Sequence, residues 1–295
     1  MSLRLPGAAP PDDQELYDGV ARLAAASVVR AYSTSFGLAC RLLRQPVRDH
    51  VRNVYALVRL ADEIVDGPMG VRHPKLAGIA LDRLERDVAD ALSTGYSSNL
   101  VVHAFGSTAR GCEIGIDLVT PFFASMRADL TVREHDEASF TRYVYGSAEV
   151  VGLMCLKVFK AGPGAGRASY EELGAGARQL GAAFQKINFL RDLADDYRVR
   201  GRRYFPGIDP DRLTDAEKDR LLDDIDADLD GAARAVDRLP DSCRSAVAVA
   251  EAVFTDLSRR LRATPAEELV RRRVRVPAPA KIWLTTKTCL STRIR

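Results

Sequence analysis

The sequence predicts an all-α protein folded as one large domain, on three observations. Apolar residues recur at helical spacing along almost the whole chain. Alternating strand patterns are nearly absent, and Asp66-Gly67 and Asp230-Gly231 follow helical patterns rather than separating two β-rich runs. Glycine and proline punctuate the helical stretches at Gly67-Pro68, Pro121, Gly162-Pro163-Gly164, Gly207 to Pro210 and Pro240. The periodicity predicts helices near 13–31, 35–43, 46–66, 75–94, 98–111, 114–130, 137–161, 168–200, 211–237 and 239–262. No linker divides the chain. Residues 1–12 read as a disordered arm, 13–282 as the helical domain and 283–295 as a basic tail.

Composition narrows the function classes. A hydrophobic share of 46% and a charged share of 28% are ordinary for a soluble globular protein. No apolar run approaches the ~20 residues of a membrane span, and the N-terminus has no apolar signal region. A cytoplasmic location is the default. Five scattered cysteines without a CxxC pair signal neither a zinc site nor a disulfide framework. The four histidines lack metal-ligand spacing, and no Gly-x-Ser-x-Gly elbow suggests a hydrolase. Eight basic residues and no acid lie between Arg271 and Arg295, so the +3 of the whole chain conceals a net −5 upstream. Such an end suits an anionic membrane surface or an acidic ligand, or is simply solvated. No nucleic-acid-binding motif accompanies it, and nucleic acid is not expected as a partner.

Two acidic stripes carry the chemistry. Counting from Tyr55, Arg59 stands at +4, Asp62 at +7 and Asp66 at +11. On a helix, +7 and +11 fall within about 20° of the starting residue. The second stripe runs from Gln185 through Asn188 and Asp192 to Asp196, with Arg191 beside it. Carboxylates four residues apart repel on a bare helix, and a cation between them removes that cost. Oxygen donors at this spacing suit Mg²⁺, which takes one or two carboxylates and completes its shell with phosphate oxygens. Two such helices facing each other would hold metal against a diphosphate, with Arg59 and Arg191 on phosphate oxygens. Either stripe alone would equally be a solvated acidic face. Two together, each with an arginine and each set in apolar helix, favour the site.

From these residues the chain resembles the squalene/phytoene synthase family, over about Leu16 to Lys281. Arg59-Leu-Ala-Asp62-Glu63-Ile-Val-Asp66-Gly67-Pro68 resembles the family's first aspartate-rich motif. Gln185 to Asp196 followed by Arg202-Arg203-Tyr204-Phe205-Pro206 resembles the second, with one extra residue before Arg202, so either Arg202 or Arg203 is the phosphate-binding arginine. Tyr32-Ser33-Thr34-Ser35-Phe36 resembles the N-terminal element whose hydroxyls meet a diphosphate; without the resemblance it reads as a helix cap. Tyr143 to Gly152, including Ala148 and Val151, resembles the helix lining the prenyl tunnel, with Gly146, Ala148 and Gly152 thinning it or packing it closely on a neighbour.

The resemblance implies an isoprenoid-synthase helical bundle around a deep apolar cavity. It also implies Mg²⁺ (Mn²⁺ as a substitute) bound by Asp62, Asp66, Asn188, Asp192 and Asp196. The reaction implied is head-to-head condensation of two prenyl diphosphates, best matched to two C20 substrates giving phytoene without NADPH. Tyr55 and Tyr204 adjoin the motifs and would face carbocations with their rings. Three other readings stay open: a C30 product from C15 substrates, transfer of one prenyl group to an aromatic acceptor, and a non-catalytic prenyl-diphosphate binder.

Overall fold

A computed structural model describes residues 12–162, 164 and 166–294, with the side chains of 34–36, 293 and 294 outside the described set. The expected arm is therefore described only at Asp12. That residue caps α1 (Asp13–Tyr32), its carboxylate accepting from the Glu15 N–H. Then come α2 (Thr34–Cys40), α3 (Val47–Asp66), α4 (Pro68–Arg72), α5 (Pro74–Thr94), α6 (Leu100–Gly111) and α7 (Ile116–Thr131). α8 (Glu137–Val144) runs through a π-helical turn (Tyr145–Glu149) into α9 (Val150–Ala161). α10 (Tyr170–Arg191) is followed by α11 (Leu193–Arg198), a 3-10 turn (Pro210–Arg212), α12 (Asp215–Val236), α13 (Arg244–Arg262), α14 (Ala266–Leu269) and α15 (Ala278–Ile294). No strand occurs among the described residues, where the one β feature is an isolated bridge between Glu134 and Arg203.

Local chemistry sets the helix ends. Reciprocal capping boxes start α8 (Asp136 with Ser139), α10 (Ser169 with Glu172) and α12 (Thr214 with Glu217). Gly95, at φ 83°, closes α5 in the left-handed conformation. Four expectations shift. α7 continues through Pro121 instead of breaking there. A proline in the second turn costs one ladder bond, and Phe122, Phe123 and Met126 bury that helix in the core. The helix expected over 168–200 breaks at Asp192 (φ −99°, ψ 9°). The short α4 and α14 fall outside the expected helices, and Ala278–Ile294 forms α15 where a basic tail was expected from 283.

Two apolar cores flank the middle of the bundle. The first joins α3, α5, α6, α7 and α9 around Leu57, Leu81, Phe105, Phe122 and Leu156, all at most 1% exposed. The second joins α8, α10, α12 and α13 around Ile187, Leu190, Leu222 and Ile225, none of them exposed. Between them the backbones pack too closely for side chains. A Cβ on Gly152 would lie 2.3 Å from the Ala177 carbonyl, and one on Gly181 2.5 Å from the Ala148 carbonyl.

Candidate active site

Residues of α2, α3, α9, α10, α12 and α13 line a cavity of about 800 Å³. Most of its wall is apolar: Leu38, Cys40, Val51, Val151, Leu156, Phe159, Leu180 and Val253 are among the lining residues. A polar set shares the lining, comprising Ser33, Tyr55, Arg59, Gln185, Asn188 and Arg191. Ala148 and Gly152 also face it. Gly146 does not, because its bare Cα lies against α7, where a Cβ would meet the Pro121 carbonyl at 2.2 Å. Ser35 and Phe36 fall outside the described side chains. The Tyr55 hydroxyl bonds to Ser33, and burial raises its pKa against that bond and the nearby Arg59 charge. Arg59 stacks its guanidinium over Tyr32, 4.3 Å from the ring centroid.

The acidic residues gather beside the polar lining, each tied to arginine. Asp62 accepts from Arg59 at 2.7 Å, and Glu63 bonds the same guanidinium. Arg202 reaches Asp66 at 2.6 Å. Arg200 reaches Asp196 at 2.9 Å and lies 3.8 Å from Asp66, so it joins the two stripes. Asp192 is held by Arg191, through its Nε at 2.9 Å, and by Arg273 at 2.7 Å. Burial lifts the Asp62 pKa to about 6, helped by the Asp66 charge and opposed by Arg59. Burial lifts Asp196 to about 7, opposed by Arg200. These are desolvated carboxylates that internal arginines only partly offset.

Gly201 explains which of the paired arginines enters the site. At φ 67° it turns the chain back, and the Arg202 N–H donates to the Asp196 carbonyl at 2.9 Å. Arg202 is then 5% exposed and reaches Asp66. Arg203 points the other way, stacked 5.1 Å over Tyr197 and 3.9 Å from Asp209.

Tyr143 and Tyr204 line no part of the cavity. Both hydroxyls donate to Asp129, at 2.8 and 3.2 Å, and Tyr204 stacks on Phe189 at 4.0 Å. Asp129 also sits 3.4 Å from Arg202. Burial pushes its pKa to about 7, against Arg202 and the two tyrosine bonds. Burial opposes the charge of Arg202, but Asp129, Tyr204 and Asp66 outweigh it and raise its pKa.

Asp129, Arg200 and Arg273 were missed by sequence reasoning. Asp129 had a signal: it extends the apolar stripe Phe122, Met126 on one helix face. Arg200 stands four residues after Asp196, the spacing of a helical ion pair. Arg273 had none, because its partner lies 81 residues away.

The donor set fits a hard divalent cation. Asn188 lines the cavity, and its buried Oδ1 has no hydrogen-bond partner. A buried amide oxygen left this way costs about 1–3 kcal/mol, which a cation would recover. Asp62 and Asp196 are carboxylates whose burial a cation would likewise relieve. Among the described residues no three acidic, histidine or cysteine groups converge as a ready-made cage. Mg²⁺ needs none, since it keeps waters and takes phosphate oxygens.

Helices around an apolar cavity, with two acidic helix segments at its polar lining, define an isoprenoid-synthase type of fold. The squalene/phytoene synthase family model matches residues 29–280, and the chain belongs to that family. It is 35% identical over 182 residues to a chloroplastic phytoene synthase of Zea mays, covering 61% of this chain and 41% of that one. It is 26% identical over 183 residues to a 4,4'-diapophytoene synthase of Staphylococcus haemolyticus, covering 60% and 59% respectively. The chain thus spans about two fifths to three fifths of the length of these relatives. A crystal structure of a dehydrosqualene synthase superimposes with a TM-score of 0.78 at 19% identity, covering 96% of this chain and all of that one, which is a likeness of fold.

Proposed function

We propose that the protein condenses two geranylgeranyl diphosphates head to head to phytoene, through a cyclopropylcarbinyl diphosphate. The observation that carries this reading is the cavity itself. It measures about 800 Å³ and is lined mostly by apolar side chains, and its lining arginines Arg59 and Arg191 bond to Asp62 and Asp192 of the two aspartate-rich segments. The reaction needs a dry apolar space for two prenyl chains and one charged region for two diphosphates.

Asp62, Asp66, Asn188, Asp192 and Asp196 would hold Mg²⁺, or Mn²⁺ in its place, which neutralises the departing diphosphate's charge. Arg59, Gln185 and Arg191 bind and orient the diphosphate oxygens. Ser33 and Tyr55 fix the first substrate at the same end. The C–O bond breaks heterolytically and the diphosphate leaves with the electron pair. The allylic cation is captured by the double bond of the second substrate, and one proton is lost as the cyclopropane closes. Loss of the second diphosphate, rearrangement and loss of a second proton give the product. Two diphosphates and two protons leave, so no reductant is required and NADPH is not used. Tyr55 offers its ring to the cations from the cavity wall, while Tyr143 and Tyr204 act through Asp129 by holding Arg202 against Asp66. Arg202, rather than Arg203, is the arginine of this site. Ala148, Val151 and Gly152 form tunnel wall.

The similarity to a 4,4'-diapophytoene synthase supports a second reading, in which C15 substrates give a C30 product. Either product is far too apolar to leave into water. The reading therefore includes a cytoplasmic enzyme that meets a bilayer peripherally through its basic C-terminal segment; no described helix is long and apolar enough to cross one. The test is incubation with Mg²⁺ and either C15 or C20 prenyl diphosphate, followed by mass analysis of the lipid extract. A C40 hydrocarbon from the C20 substrate is expected, and Asp62→Ala or Asp192→Ala lowers its rate about 100-fold or more. Exclusive C30 product refutes the C20 assignment. Undiminished turnover in EDTA refutes the metal-dependent reaction.

A further inference from the structure

α15 turns three of its large apolar side chains outward. Ile282, Trp283 and Leu290 are 64%, 59% and 58% exposed. The face laid on the protein is made of smaller, more polar groups: Thr285, Thr288, Cys289 and Thr292 are half-buried there. Ser245 of α13 meets Thr292 at 3.1 Å, and Ala280 and Leu284 pack on the second core, so the helix is seated and its outer face is fixed. A helix whose only apolar partner is its own protein carries the opposite pattern. Lys287 reaches back over the Trp283 ring, 4.9 Å from its centroid. No acidic residue follows Glu268. The segment leading into α15 and the helix's first turn reach the cavity, since Arg273, Val274, Arg275 and Val276, and Lys281 of α15, share its lining.

We propose that the outer face of α15 docks on an anionic bilayer surface, which sets this edge of the cavity against lipid. Exposed apolar residues beside a lysine, with one tryptophan among them, are the composition of a helix that lies in a membrane interface. Cations alone on such a face match the negative potential of anionic lipid. They disfavour a second copy of the chain, because a two-fold contact through this face would bring the cations of both copies together with no carboxylate of that face to offset them. Delivery of a hydrocarbon product by this route rests on the condensation reading. Docking itself does not, and is measured separately.

Trp283 is the only tryptophan of the chain, so its emission reports this face directly. The full chain is mixed with phosphatidylcholine vesicles, with and without phosphatidylglycerol, and followed by fluorescence and by flotation. The expected result is a blue shift and flotation with the phosphatidylglycerol vesicles, both weakened by added salt. The triple variant Ile282→Ser, Trp283→Ser, Leu290→Ser should partition about tenfold or more weakly with an unchanged circular dichroism spectrum. Lys287→Glu, a single surface change, should weaken flotation without disturbing the fold, and keeps the test decisive if the triple variant misfolds. Unshifted emission, or flotation equal in wild type and Lys287→Glu, overturns the proposal. So does a dimer in sedimentation that Lys287→Glu alters while neither protein floats, which assigns the face to a second copy. A vesicle-binding protein that makes no prenyl hydrocarbon in detergent would refute the reaction and leave the docking standing.

Discussion

Asp196 carries a cost that the fold accepts for the sake of the site. Its side chain is 11% exposed, and its pKa stands at about 7, well above the ordinary 3.8. The unfolded chain releases this proton near pH 4, whereas the folded protein keeps it until about pH 7. The stability this group contributes is therefore fully present below pH 4 and is lost as pH rises through 7. Asp196→Asn removes that loss. Without metal or substrate, the variant should gain on the wild type as pH climbs from about 4 to 8, by on the order of 1–2 kcal/mol after relaxation. Chemical denaturation at a series of pH values measures it, and a difference that stays flat with pH would remove the argument. Activity should move the opposite way, since the proposed metal donors include the same carboxylate. At this scale much of the site was legible in the sequence. Carboxylates at i, i+4 with an arginine on the same face are a local pattern, and Tyr55, Arg59, Gln185, Asn188 and Arg191 all reach the cavity. Two of the ion pairs were not legible, because Arg202 meets Asp66 across 136 residues and Arg273 meets Asp192 across 81.

The α8–α9 segment shows how an element's defect serves the site. Its π-helical turn spans Tyr145–Glu149 and contains both Gly146 and Ala148. One extra residue in the turn re-aims the side chains that follow, so Ala148, Val151 and Gly152 face the cavity while Tyr143 stays behind on Asp129. Gly146 is the point where this turn touches α7. A Cβ there would lie 2.2 Å from the Pro121 carbonyl and 2.3 Å from the Ser125 hydroxyl, and the carbonyl has little room to yield. Gly146→Ala should therefore destabilise the protein by about 1–3 kcal/mol, read as a lower urea midpoint. Substrate KM should change little, because Gly146 does not line the cavity. An unchanged midpoint would show that α7 shifts freely. Periodicity placed most helices within a few residues of where they lie. It had no means of showing the π turn, which keeps a helical pattern on both sides, or the break at Asp192, whose carboxylate pairs with Arg273 from 81 residues away. α15 escaped for another reason: its apolar residues face outward, so its pattern does not mark a core-facing helix.

For the whole molecule, the arrangement of two cores around one cavity decides which substrates fit. Phosphate recognition is the same for C15 and C20 diphosphates, so discrimination rests on apolar wall and volume. A hydrophobic wall discriminates weakly per carbon, but overlap with a bulky side chain is a steric veto. Cys40 lies on that wall, in company with Cys155, Leu156 and Phe159. It is the last residue of α2, 2% exposed, and burial holds its thiol neutral with a pKa of about 12. It therefore acts as a small apolar filler rather than a nucleophile. In sequence it stands one turn beyond Phe36, which belongs to the element that resembles the family's N-terminal diphosphate-binding segment. The structure places its side chain on the cavity, where a phenyl ring would extend into the space left for prenyl chain. Cys40→Phe should shift preference from C20 toward C15 diphosphate, because overpacking a longer chain against the ring costs about 1–3 kcal/mol, or roughly 5- to 150-fold in relative kcat/KM. The measurement is the ratio of kcat/KM for the two substrates in wild type and variant. The neighbouring Cys155→Ser, which adds no bulk, controls for loss of the thiol. Equal ratios in wild type and Cys40→Phe would mean that the prenyl chains run along another part of the wall, and that chain length is set by residues such as Phe159 or Leu173 on α9 and α10.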